Sequence, residues 1–262
     1  MKRALHLHAW GPEDGEPVVC LHGVTGWGGH FAELAARALP QHRVLAPDLL
    51  GHGRSAHAPP WSIAAQLDAV RETVGEAPRR WVGHSFGGRL AWELAAASPE
   101  LVEELVLLDP AIVRGRADAL LAFAEDARAR RAYRSFEELV DNRLVESQLT
   151  RAPRALVADE LRHHVVEVST DRWEYRFAQA ATVALYGELA TEPAVAGAIR
   201  ARTLLVTGAA SYLPLDGLAS ELRGALGPRL EVVTVPGGHT VLWEALSETA
   251  AAVASFLAGP KP

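Results

Sequence analysis

Gly83-His84-Ser85-Phe86-Gly87-Gly88 is the segment of this chain best suited to nucleophilic chemistry. A serine inside G-x-S-x-G is informative when a strand enters it and a helix leaves it. Arg80-Trp81-Val82 is a short β-prone run, and Arg89–Ala96 is a strong helix former with apolar residues near helical spacing. Glycines 83 and 87 have no Cβ to obstruct a sharp turn between them. Such a turn aims the Ser85 hydroxyl at a cleft. It also leaves the Phe86 N–H at a helix N-terminus, where it can hold an oxyanion.

A serine hydroxyl is a poor nucleophile at neutral pH and needs a base, an acid to orient that base, and an oxyanion site. Of the eleven histidines, His239 has the right setting. It follows the last strand candidate, on the glycine-rich run Pro236-Gly237-Gly238, and opens the final helix pattern. A second oxyanion donor belongs on the loop after an early strand. Leu21-His22-Gly23-Val24-Thr25-Gly26 fits, with the N–H of Val24 free to face the cleft; a plain strand-to-helix turn is compatible with the same residues. Cys20, the single cysteine, lies in the apolar run Val18–Leu21 and reads as a buried strand thiol.

These residues need a scaffold. Short apolar runs alternate with helical patterns, which predicts an α/β fold with a mostly parallel sheet of about seven to eight strands and helices on both faces. Strands are expected at Ala4–Ala9, Pro17–Leu21, Arg43–Ala46, Arg80–Gly83, Glu104–Leu108, Thr203–Thr207 and Glu231–Val235. Gly11–Gly15 reads as a hairpin turn joining the first two. Helices are expected at His30–Ala38, Ser62–Val74, Phe86–Ala97, Gly217–Leu226 and Thr240–Leu257. Between Arg114 and Pro193 strand-like runs vanish and helical patterns take over, at Ala117–Arg131, Ser135–Leu144, Ala155–His164 and Gln179–Leu189. This is the signature of a helical insertion between two neighbouring strands.

His22-Gly23, then Asp48–Ser55, then Gly83–Gly88, then Gly238-His239 occur in the order typical of α/β-hydrolase fold enzymes, and the chain resembles that family over essentially its whole length. The resemblance implies a core of residues 1–113 and 194–262 and a helical cap of residues 114–193, inserted after the strand that ends near Asp109. It also implies that Asp48–Ser55 is a structural loop. The family usually supplies its acid just after the penultimate strand, but here Ser211 and Tyr212 stand in that place, and neither is an anion at neutral pH. Two carboxylates could substitute. Asp109 ends the strand after the elbow, at the carboxyl edge of the sheet, and some family members carry their acid there; a turn-forming Asp before Pro110 is the plainer reading. Asp216 looks more like a helix N-cap ahead of Gly217. Asp109 is the preferred acid.

Elbow and oxyanion loop together imply acyl transfer on a small, largely apolar ester, lactone or thioester. A carbon–carbon bond hydrolase and a low-turnover binding protein on the same scaffold are the alternatives. A nucleophilic serine argues against the family's dehalogenases and epoxide hydrolases, which use Asp. Trp27 and Trp173 are candidate substrate contacts, and core packing explains either equally well. No metal-ligand spacing or phosphate loop appears, so neither a metal nor a cofactor is expected. A net charge of −6 gives no reason to expect nucleic acid. No run is long and apolar enough for a membrane span, no secretory signal pattern opens the chain, and the lone cysteine suits a reducing cytoplasm.

Overall fold

Val18-Val19-Cys20-Leu21 shows how the core is built. Successive side chains of a strand point to opposite faces, so a run apolar at every position is buried on both. In the computed structural model, which describes residues 5–115, 117–129 and 132–259, Val18 and Cys20 join one apolar cluster and Val19 and Leu21 the other.

The chain opens with β1 (Leu7–Trp10), β2 (Glu16–Leu21), α1 (Ala32–Ala38) and β3 (His42–Pro47). Next come α2 (Ile63–Val74), β4 (Arg79–His84), α3 (Phe86–Ala97) and β5 (Val102–Leu108). Then follow α4 (Ala117–Asp126), α5 (Phe136–Glu146), α6 (Arg154–His164), β6 (Val165–Ser169), β7 (Arg172–Tyr175) and α7 (Gln179–Leu189). The chain continues with β8 (Arg202–Gly208), α8 (Asp216–Leu226), β9 (Leu230–Val235), α9 (Val241–Glu244) and α10 (Leu246–Ala258). Seven strands form one sheet in the order β1-β3-β2-β4-β5-β8-β9, parallel except for β1. Helices α2, α3 and α8 cover one face and α1 and α10 the other.

All seven expected sheet strands form. Two expectations about their surroundings need correction. The Gly11–Gly15 turn does not make a hairpin, because β1 pairs with β3 and not with β2. The turn instead crosses over the start of β3. A Cβ on Gly11 would lie 2.0 Å from the His42 carbonyl oxygen, so only glycine lets the chain pass that close. The insertion is also not purely helical. Its strands β6 and β7 pair antiparallel about the Thr170-Asp171 turn, where Asp171 takes a φ of 57°. Helix α4 ends at Asp126, and the far end of its expected range, Arg131, lies outside the described residues. Among the described residues no helix is long and apolar enough to cross a membrane.

The stretch between β5 and β8 is tied to the rest of the chain by both backbone and side chains. The N–H of Ala178 donates to Gly51 O at 2.7 Å, and the N–H of Gly53 donates to Arg176 O at 2.6 Å. His30, buried ahead of α1, meets Glu160 of α6 at 2.7 Å.

The elbow glycines have a packing consequence. A Cβ at Gly87 would sit 1.9 Å from the Leu21 carbonyl oxygen. Helix α3 therefore lies against β2 only because position 87 has no side chain. Gly87→Ala is expected to destabilise the fold by about 3 kcal/mol, as overpacking of an unyielding contact does. Urea unfolding would read this as a lowered midpoint; an unchanged midpoint would contradict it.

Candidate active site

Ser85 lies between the last residue of β4 and the first of α3, with φ 54° and ψ −117°. A non-glycine residue in that region is strained by about 1–3 kcal/mol and persists only where its neighbours over-determine it. The determinants are visible. Ser85 N–H donates to Leu108 O at 3.1 Å, and Ser85 O accepts from the N–H groups of Ala111 and Arg89. Sheet pairing thus runs right up to the turn.

One strand over, Asp109 follows β5 and is itself strained, with a φ of 41°. Its N–H continues the ladder to Val206 O at 2.8 Å. The carboxylate is fully buried and points toward the loop after β8. There Oδ1 accepts from the Gly208 N–H at 2.8 Å, and Oδ2 accepts from the Ser211 hydroxyl at 2.6 Å. Ser211 stands where the family's usual acid would be, and it donates to the carboxylate that arrives from β5.

His239 follows β9 on the Gly237-Gly238 loop. Glu244, one turn into α9, holds that loop by accepting from the Gly238 N–H at 2.7 Å. The imidazole bridges the other two side chains: Nδ1 lies 2.7 Å from Asp109 Oδ2 and Nε2 lies 2.9 Å from Ser85 Oγ. These distances fit an Nδ1–H donor to the carboxylate and an Nε2 lone pair facing the serine proton. Asp216, the other candidate acid, is exposed in the first turn of α8; Leu215, not Asp216, occupies the cap position.

The loop after β2 approaches from the other side. A Cβ on Gly23 would fall 3.1 Å from Ser85 Cβ, so this loop passes directly over the serine. His22 stiffens it: Nδ1 donates to Gly23 O at 2.8 Å and Nε2 accepts from the Leu49 N–H at 2.9 Å. That pattern requires a neutral ring, and burial, with His52 alongside, lowers the His22 pKa to about 3. Val24 O accepts from His52 Nε2. Phe86 is the first residue of α3, and first-turn N–H groups have no intrahelical acceptor. Val24, on the loop after β2, and Phe86, at the start of α3, thus both adjoin the Ser85 turn.

These groups open into one cavity of about 1020 Å³, lined by Ser85, His239, Val24 and Trp27 and by the insertion's Tyr175 and Phe177. Trp27 lines the wall and stacks on His164 at 5.8 Å between ring centroids. Trp173, expected to line it too, is not among the lining residues. It packs against Phe136 and pairs through its backbone with Tyr133. Tyr175, two residues on, lines the cavity. Sequence reasoning also passed over Tyr212, whose ring lies 4.8 Å from that of His239, and His84, whose Nε2 donates to His239 O at 3.0 Å. Both sit beside motif residues, which was the available signal.

Cys20 is fully buried and its thiol is pushed up by that burial, so it stays protonated, as a structural thiol should. Among the described residues His6, His8 and Asp48 bring potential metal-binding atoms within 4.8 Å. Asp48 is otherwise engaged, accepting from the N–H groups of Gly28 at 2.8 Å and Arg54 at 2.9 Å while His8 Nε2 lies 3.1 Å away. Burial alone would raise its carboxyl, but these bonds outweigh it and hold the group well below the usual carboxylate range. They make Asp48 a brace for the loop.

Comparison with known proteins agrees with this geometry. The sequence profile of the family described as alpha/beta hydrolase fold matches residues 16–246. The chain is 36% identical to Lipase LipV of Mycobacterium tuberculosis, covering 98% of both chains. It is 30% identical to the sn-1-specific diacylglycerol lipase ABHD11 of Mus musculus, over 92% of this chain and 80% of that one. Among solved structures, E-2-(acetamidomethylene)succinate hydrolase superposes with a TM-score of 0.84 at 22% identity, covering 97% of this chain and 95% of that one, a likeness of fold. The chain belongs to the alpha/beta hydrolase fold family.

Proposed function

We propose that this protein is a serine hydrolase that cleaves a largely apolar carboxylic ester, or an equivalent lactone or thioester, through an acyl-enzyme on Ser85. That it acts on ester bonds agrees with the lipase names of its relatives. The observation that carries the finer reading is the continuous relay from Ser85 Oγ through His239 to Asp109, at 2.9 and 2.7 Å. Residues 114–193 serve in this reading as the cap that closes the cavity over the relay.

In the proposed mechanism Ser85 Oγ attacks the ester carbonyl while His239 Nε2 takes its proton. Asp109 holds the imidazole with Nε2 free and stabilises the imidazolium that forms. The N–H groups of Val24 and Phe86 receive the tetrahedral oxyanion. His239 then returns the proton to the leaving alcohol. Water, activated by the same imidazole, attacks the acyl-enzyme, releases the acid and restores Ser85. The cavity has room for more than a short acyl chain, and ligand pockets run to about 1,000 Å³. The lack of an acid after the penultimate strand favours a binding-only protein, and the contact of Asp109 with His239 supports the hydrolase reading instead.

A fluorophosphonate probe tests the reading on the intact protein. One equivalent is expected on the peptide that carries Ser85, with hydrolysis of p-nitrophenyl butyrate falling in step. Turnover that persists after Ser85 is fully labelled would sink the proposal.

A further inference from the structure

Arg143 projects from α5 into the wall of the cavity that holds Ser85 and His239. Its guanidinium lies over the ring of Tyr175 at 5.6 Å and over that of Trp243 at 5.5 Å. Among the described residues it makes one hydrogen bond, from Nη1 to Thr25 Oγ1 at 3.1 Å, and no ion pair. Its Nε is buried without a partner. Other arginines of the same region are spent on carboxylates: Arg154 on Glu137 and Asp141, Arg172 on Glu174.

An arginine is always charged and offers five N–H donors in a planar fork. Withdrawing it from water without a counter-charge is unfavourable, and a partner is ordinarily built in. Here the neighbours supply none. Asp126 and Glu146 are exposed at the rim and already have partners of their own. Glu174 is paired with Arg172, and Asp109 is engaged by His239, Ser211 and Gly208. His164 lies nearby with Nε2 against Thr25 O at 3.2 Å, and burial followed by the Arg143 charge keeps it neutral. The fork is therefore fixed, desolvated on two sides and electrostatically unmatched. Thr25, to which it is bonded, adjoins Val24 of the proposed oxyanion loop.

We infer that Arg143 is a specificity-determining residue that binds a carboxylate of the substrate, so that the ester cleaved is apolar around its scissile bond and anionic at a remote end. This inference rests on the serine-hydrolase reading above. The two aromatic faces suit the methylene chain that joins the two ends, and they hold the cation in place by cation–π contact.

The test uses two ladders of esters on the native protein. One is the monoethyl esters of α,ω-dicarboxylic acids, the other the butyrate esters of ω-hydroxy acids. Each is set against the same ester with a methyl in place of the free carboxyl. The expected result is a kcat/KM at least about tenfold higher for the carboxylate-bearing member at one or more chain lengths, as a charge-assisted bond allows. The ladder that shows it tells whether the anion belongs to the acyl or the alcohol half. In Arg143→Gln that ratio is expected to fall toward one, and Arg143→Lys should retain part of it. A native ratio at or below one throughout both ladders overturns the inference, and that measurement needs no variant to fold. A ratio that survives in Arg143→Gln overturns it equally. If neutral esters are cleaved at a probe-labelled Ser85 without any preference, only the inference falls. If no ester in either ladder is cleaved, the hydrolase reading falls first.

Discussion

Ser85→Ala and Asp109→Asn are expected to lower kcat by about a million-fold and about ten-thousand-fold, while Asp216→Asn stays within about threefold of the native protein. The first change removes the nucleophile. The second keeps the size of the side chain but reverses its role toward the imidazole. Asp109 Oδ2 now faces His239 Nδ1 at 2.7 Å and can only accept. The Asn amide would present N–H there if its oxygen keeps the Gly208 N–H, which donates to Oδ1 at 2.8 Å. Nδ1 would then have to accept, the ring proton would move to Nε2, and Ser85 would lose its base. Asp216 is exposed on α8 and shares no hydrogen bond with His239 among the described residues, so it has no route to the reaction. Burst and steady-state kinetics on a p-nitrophenyl ester separate the outcomes. A strong loss in Asp216→Asn with little in Asp109→Asn would reassign the acid.

The protein is expected to unfold steeply on mild acidification. His22, His84 and His164 are held well below the ordinary imidazole pKa, and His52 is lowered as well, in every case chiefly by burial. Each is neutral in the native state, whereas the unfolded chain takes up a proton on each near pH 6.5. Below that pH the unfolded state binds more protons, so stability falls as pH falls, by about 1.4 kcal/mol per unit for each such ring. For His22 the window runs from about 6.5 down to about 3. Three rings acting together give about 4 kcal/mol per unit, and His52 adds to this over its own range. Over the first two units below pH 6.5 that slope removes up to about 8 kcal/mol, comparable with the total of about 5–15 kcal/mol that a domain has to lose. The structural reason is sharp at His22. A proton on Nε2 would confront the Leu49 N–H that it now accepts, and the loop carrying Val24 would lose its anchor. Urea midpoints between pH 7.5 and 4.5 would show the slope. Equal midpoints at pH 7.5 and 5 would refute it.

The sheet and the elbow were legible from residue order because their determinants are local. Apolar runs identify strands buried on both faces, and the glycines around Ser85 are demanded by contacts within a few residues of the turn or with the adjacent strand. Helices Phe86–Ala97 and Gln179–Leu189 begin and end where their patterns say. What was hidden depended on pairing across distance. That β1 crosses β3 is decided by which edge is free, not by the turn. The β6–β7 hairpin was masked by helical patterns on both sides, although Val165–Ser169 does carry β-branched alternation. Trp173 and Tyr175 share one face of β7, yet Trp173 is taken up by Phe136 and Tyr133 while Tyr175 reaches the cavity, a difference set by partners distant in sequence. The contacts of Arg143 with Thr25, Tyr175 and Trp243 join α5 to three other, separate parts of the chain.

The carboxylate that reaches His239 comes from a strand hydrogen-bonded to the one that carries Ser85. Charge and nucleophile therefore share a single rigid frame at the middle of the sheet. The segment after β8 is relieved of anchoring an ion and contributes only a hydroxyl and a backbone amide at its start. Its next residues, Tyr212, Leu213 and Pro214, form cavity wall. Length and side chains beyond Ser211 can thus drift, or be exchanged by an engineer, to reshape what fits inside without dismantling the proton path.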